Sequence, residues 1–184
     1  MKRIFWVLAG LTVAACQTYT VPPYTISMGN DEALKAALGE RHVAVGPFTM
    51  TAAAAGSCRA AGAIEFLGGM TFEAYVQAAF TEELKVAGLY DPGSPITSRG
   101  NITQLSFSSG ILNGAWDISL TLESSNGETL SASEHYEFPS NFNGDAACHG
   151  VAAAFQYVVQ ALIGKVVAAP EFRRMSDPGR AFRR

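Results

Sequence analysis

The sequence predicts an α+β domain: a two-layer sandwich with a mainly antiparallel sheet and two helices on one face. Three observations predict it. Apolar residues recur at three- and four-residue steps over 72–87 and again over 148–166, the period of a helix with one buried stripe. Three stretches, 102–108, 115–123 and 128–138, alternate apolar and polar side chains, as antiparallel strands with one wet face do. One more strand ahead of the first long helix gives the order β-α-β-β-β-α.

That strand is Arg41 to Met50, where Val43 and Val45 alternate with Ala44 and Gly46 and Pro47 marks an edge or an exit. Before it, Asp31-Glu32 opens a short helical piece that Gly39 closes. Thr51 to Ile64 is small and glycine-rich and is expected as a loop. Thr71 is a good N-cap for the first long helix, and Gly88 is its expected C′ residue. The stripe Phe72, Tyr75, Val76, Ala79, Phe80, Leu84 and Ala87 is a packing face.

Among the three later strands, the first is expected to face Thr103, Leu105 and Phe107 to one side. The second faces Trp116, Ile118, Leu120 and Leu122 inward. The third faces Leu130, Ala132, Tyr136 and Phe138 inward, with Glu134 as the misfit. Parity then fixes the turns, because opposed residues share a face. Leu122 opposite Leu130 demands the three-residue loop Ser125-Asn126-Gly127, with Gly127 left-handed in a G1 bulge. Phe107 opposite Trp116 demands an even loop, with Ile111 and Leu112 at its tip. Exposed apolar tips are candidate contact sites; folding back onto the domain is the plainer alternative. The last helix is expected to start at Asp145 and to end at Pro170.

The charge is uneven. Arg173, Arg174, Arg180, Arg183 and Arg184 crowd the last stretch, leaving an acidic body in front. An acidic body speaks against nucleic-acid binding. The arginines could meet phosphates or an acidic partner; a merely solvated terminus is the plainer alternative. No nucleophile elbow, phosphate loop, dinucleotide fingerprint or His-Glu-x-x-His run occurs. His42, His135 and His149 fall in different elements, and His135 with Glu137 reads as a solvated pair. No catalytic residue, metal site or cofactor is expected.

The N-terminus supplies an address. Lys2 and Arg3 precede an apolar run from Ile4 to Val13, then the small pair Ala14-Ala15 and Cys16. The run is shorter than the about 20 residues a membrane-crossing helix needs, so 1–15 reads as a secretory signal. Val13-Ala14-Ala15-Cys16 resembles the lipobox of bacterial lipoproteins. That resemblance implies that Cys16 becomes a lipidated, palmitate-bearing N-terminus, and that Gln17 after it favours the outer membrane of a Gram-negative cell. A plain secretory signal with an incidental cysteine is the alternative. Losing the signal takes the net charge from −3 to about −5, because Lys2 and Arg3 go with it. Residues 16–30, with Pro22-Pro23, are expected as a tether, 31–172 as a single domain and 173–184 as a basic tail.

With Cys16 assigned, Cys58 and Cys148 are left as an even pair in an oxidising compartment and are expected to form a disulfide. Two buried thiols, or a metal site borrowing His149, are the alternatives. A zinc site wants about four ligands, and the sequence offers no second Cys/His cluster.

The chain further resembles the small outer-membrane lipoproteins that include the LPS-assembly lipoprotein and the transport auxiliary lipoproteins. The resemblance rests on Val13 to Cys16, the strand His42-Val43-Ala44-Val45, the helix from Phe72 that ends in Ala87-Gly88-Leu89-Tyr90, and a closing helix ending near Pro170-Glu171-Phe172. It implies a non-enzymatic, periplasm-facing accessory subunit or adaptor of an envelope transport or assembly complex. Its partners would be the membrane, through Cys16, and an envelope protein. A lipid- or glycan-binding module is the alternative.

Overall fold

The computed structural model describes residues 17–53 and 55–180, so Cys16 and the signal segment lie outside the described residues. The chain is mixed α/β, with two sheets and four α-helices among the described residues. Its order is longer than the six elements expected. It runs β1 (Gln17–Val21), α1 (Met28–Leu38), β2 (Ala44–Met50), β3 (Gly62–Phe66), α2 (Phe72–Val86), β4 (Thr97–Ser109), β5 (Asn113–Ser124), β6 (Thr129–Pro139), α3 (Gly144–Ala168) and α4 (Pro170–Met175).

The tether expected over 16–30 is corrected by β1. Gln17–Val21 pairs in parallel with β3, Gln17 against Gly62 and Val21 against Phe66. Tyr19 and Val21 are buried. The physical reason is alternation too short to see: in QTYTV only every second residue is apolar. Strand β3 likewise replaces part of the expected 51–64 loop, burying Ile64 and Phe66.

The larger sheet has the order β2-β4-β5-β6, with β2 parallel to β4 and the other pairs antiparallel. β2 is an edge strand, and its register shifts between Val45 and Phe48, where Pro47 withdraws its N–H. Phe107 opposes Trp116 and Leu122 opposes Leu130. Gly127 has φ 85°, and Ser124 N–H bonds to Glu128 O at 2.9 Å around the three-residue loop.

One inward set needs correcting. A register shift between Ile102 and Gln104 skips Thr103. The extra residue inverts parity, so Ile102 and Leu105 are buried on the same face while Thr103 is exposed.

The helices are set by their caps. Thr71 Oγ1 accepts from Ala74 N–H at 3.3 Å, and at the other end of α2 Leu89 N–H returns to Leu84 O at 2.8 Å past Gly88, φ 74°. Asn143, not Asp145, caps α3, accepting from Ala146 N–H at 3.1 Å. Asp145 lies in the first turn, where its charge suits the helix dipole. α1 starts at Met28, three residues ahead of Asp31, because Ser27 caps it. Pro170 ends α3 as expected, then serves as the first residue of α4.

α3 joins the two sheets. Phe155 lies 4.8 Å, ring to ring, from Trp116 of β5 and 5.6 Å from Phe66 of β3. Phe72 of α2 completes that aromatic cluster, 5.2 Å from Phe155. Trp116 is fully buried, and its indole N–H is satisfied by Val151 O at 2.9 Å. The misfit Glu134 reaches Lys165 of α3 at 2.8 Å, which pairs a nearly covered carboxylate.

Candidate functional site

The cysteines come first, because they tie the site together. Cys58 and Cys148 form a disulfide across 90 residues. It fastens the segment before β3 to the first turns of α3.

Arg59 follows directly. It and Ala60 have φ of 48° and 53°, in the left-handed region that side chains disfavour. The strain is held by what Arg59 reaches. Its guanidinium donates to Ser109 O at 2.6 Å, Gly110 O at 2.7 Å, Asn141 O at 3.0 Å and Phe142 O at 3.1 Å. One planar fork therefore bolts the β4–β5 turn to the loop between β6 and α3. Ser140 N–H adds a bond to Leu112 O at 2.8 Å.

The two loops so joined present Ile111, Leu112 and Phe142, which are 61%, 79% and 81% exposed. Sequence reasoning found the first two and missed Phe142. The signal was available: Phe142 stands between two asparagines in a loop, where an aromatic side chain has no strand or helix face to pack on. The tip adjoins the start of β1. Gln17 pairs with Gly62, three residues beyond Arg59, and its side-chain amide donates to Asp145 Oδ1, three residues beyond Phe142.

A second feature lies at the far end of the β1–β3 ribbon. A cavity of about 350 Å³ opens there, walled by Val21, Pro23, Phe66, Leu67, Met70 and Ala78 among others, and it is almost entirely apolar. Tyr24 and Tyr75 close its floor. Burial pushes the Tyr75 hydroxyl up to about 12, while it donates to Pro22 O at 3.0 Å. Tyr24 is raised further, first by burial and then by its hydrogen bond to Glu83. Leu67 and Met70 stand exposed at the rim.

The arginines are spread out. Arg173 and Arg174 belong to α4, whose Phe172 and Met175 are buried, and so do not begin a free tail. Arg173 donates to Ala36 O at 3.3 Å, and Arg174 pairs with Glu171 at 3.1 Å and Glu128 at 3.6 Å. Arg180 ends a short 3₁₀ turn, while Arg183 and Arg184 lie outside the described residues. His135 meets Asp117 at 2.7 Å, more closely than the expected Glu137 at 3.6 Å. The two residues oppose each other directly on the wet face. His149 stands edge-on to Tyr19, their ring centres 5.1 Å apart, and 3.8 Å from Asp145. Among the described residues, no three His, Cys, Asp or Glu side chains gather as a metal site would require.

No protein-family model matches the chain, and no curated protein matches it in sequence. Solved structures do resemble it. A DUF330 protein of Xanthomonas campestris superposes with a TM-score of 0.52 at 12% identity, covering 82% of this chain and 95% of that one. A dodecameric PelC of Paraburkholderia phytofirmans gives 0.38 at 15% identity, over 83% and 92% of the two chains. A Neisseria meningitidis lipoprotein, GNA1162, gives 0.28 at 16% identity, over 70% and 99%. At these identities, the first of the three establishes a shared fold and nothing finer.

Proposed function

We propose that the chain is a non-enzymatic lipoprotein of the bacterial envelope, held at the outer membrane by acylated Cys16 and facing the periplasm. There it serves as an accessory subunit or adaptor of a transport or assembly complex. The observation that carries the reading is the adjacency of anchor and domain. Val13-Ala14-Ala15-Cys16 ends one residue before Gln17, and Gln17 is already paired with β3 and bonded to α3. A lipid there fixes the domain at the bilayer. The fold shared with the DUF330 protein is compatible with such a role.

The test is fractionation with crosslinking of the intact protein in membranes. The full-length protein should sediment with outer membranes and carry the mass of acyl chains, and Cys16→Ala should abolish both. Crosslinking should recover a defined envelope protein. Recovery of lipid with no protein partner would sink the adaptor role.

The apolar cavity favours a second reading, a module that binds a lipid chain. Its volume and lining suit a small apolar ligand. Native mass spectrometry showing a bound lipid that is lost on Ala78→Trp would support it.

A further inference from the structure

The position of the apolar tip relative to β1 carries one more step, which rests on the lipid anchor proposed above. We infer that Ile111, Leu112 and Phe142 form a membrane-seating tip that enters the bilayer surface beside the lipid on Cys16.

Three facts point to a bilayer as the occupant of this tip. The first is place. Cys16 is covalently next to Gln17, so the residue that would bear the lipid is one Cα–Cα step, about 3.8 Å, from the first paired residue. Gln17 is bonded to Asp145 in the first turn of α3, and Phe142 precedes that turn. Anchor and tip therefore leave the domain at the same end. The second is chemistry. The residues flanking the tip in the two loops, Asn113, Asn141 and Asn143, are neutral and polar, and the guanidinium bonded to the same loops, that of Arg59, is cationic. The set suits a phosphate-bearing headgroup layer above three apolar side chains. The third is rigidity. The Arg59 fork holds both loops through four backbone carbonyls, so the apolar side chains are presented without a loop having to be ordered on binding. Three exposed apolar side chains on two joined loops mark an interaction surface. Because acyl chains anchor more firmly when a second signal is added, the tip gives the domain an orientation that the lipid alone does not.

The experiment uses the full-length protein expressed and purified from membranes, its acylation checked by mass, and reconstituted in phosphatidylcholine–phosphatidylethanolamine vesicles with brominated acyl chains. Tryptophan is placed by Leu112→Trp, by Phe142→Trp, and, as a control, by Val86→Trp. Val86 is exposed on α2 at the opposite end of the larger sheet. Once the signal is removed, Trp116 is the only native tryptophan, and it is buried and constant across variants. The tip variants should show at least about twofold more quenching than the control, because interfacial burial of 5–10 Å reaches the acyl boundary. Equal quenching of all three would overturn the tip. So would crosslinking of the tip to a protein with no quenching. A protein without acyl mass would overturn the anchor alone, and the quenching pattern in the same vesicles would still decide the tip.

Discussion

Glu83 of α2, wholly buried, accepts the hydroxyl hydrogen of Tyr24 from 59 residues earlier in the chain. The same carboxylate oxygen also accepts Ser27 N–H at 3.0 Å and Asn30 Nδ2 at 3.2 Å, and Asn30 reaches Gln160 O of α3 at 3.0 Å. One side chain thus fixes the segment between β1 and α1 onto both long helices. Glu83→Ala should strand three donors and cost about 3 kcal/mol or more, lowering Tm by about 8 °C. Tyr24→Phe should cost about 1 kcal/mol. Hydrogen exchange should show the amides of 22–30 released in the first variant, and unchanged exchange there would reject the role.

Among the tyrosines raised above their ordinary value, Tyr24 and Tyr75 set an alkaline limit. A folded-state value above the ordinary 10.0 means that the folded chain keeps protons the unfolded chain has lost. The stability due to Tyr24 and Tyr75 is therefore full below pH 10 and falls as pH rises from there toward and past 12. Denaturant midpoints measured from pH 8 to 12 should drop above 10, and Tyr24→Phe should blunt the drop.

On the wet face, the hydrogen bond to Asp117 comes first in raising the His135 pKa, its charge second. The contribution of that pair is present below the ordinary imidazole value and is lost as pH rises through the raised one. Asp117→Asn should lower the His135 titration midpoint in an NMR pH series. Because the pair is exposed, its stability effect should be small.

The disulfide spans 90 residues, and chain-entropy bookkeeping puts its stabilisation at about 4.6 kcal/mol at most. Replacing both Cys58 and Cys148 by serine should cost about 2–4 kcal/mol in denaturant unfolding. It should also speed exchange in the loops that Arg59 joins. A double variant as stable as the parent would show that packing around Arg59 suffices.

How much of this was legible depends on range. Elements whose pattern repeats over a dozen residues, α2, α3, β5 and β6, stood out in the sequence. So did the register around Leu122 and Leu130, because parity constrains it locally. β1 and β3 did not. Each is five residues long, and each is a strand only because the other lies beside it. Thr103 shows a second limit, since a bulge is a pairing event that single-strand alternation does not record. In the candidate site, Ile111 and Leu112 followed from turn length, and the disulfide from cysteine arithmetic. Phe142 was readable from its setting between two asparagines, but Arg59 and Glu83 act through backbone carbonyls or donors far along the chain, and no spacing rule reports such partners.

Asn126, at the G1 bulge, donates to Arg174 O, Met175 O and Asp177 O at 3.0–3.1 Å. The first strand waits for β3, Cys58 waits for residue 148, and the β5–β6 turn waits for the end of the chain. A polypeptide emerging from its N-terminus therefore has few partners in hand at any moment, and closures of this length are slow. Tyr19, Phe66 and Trp116 wait for His149 and Phe155 of α3 to cover them, and the domain is complete only once residues as late as 174–177 are in place.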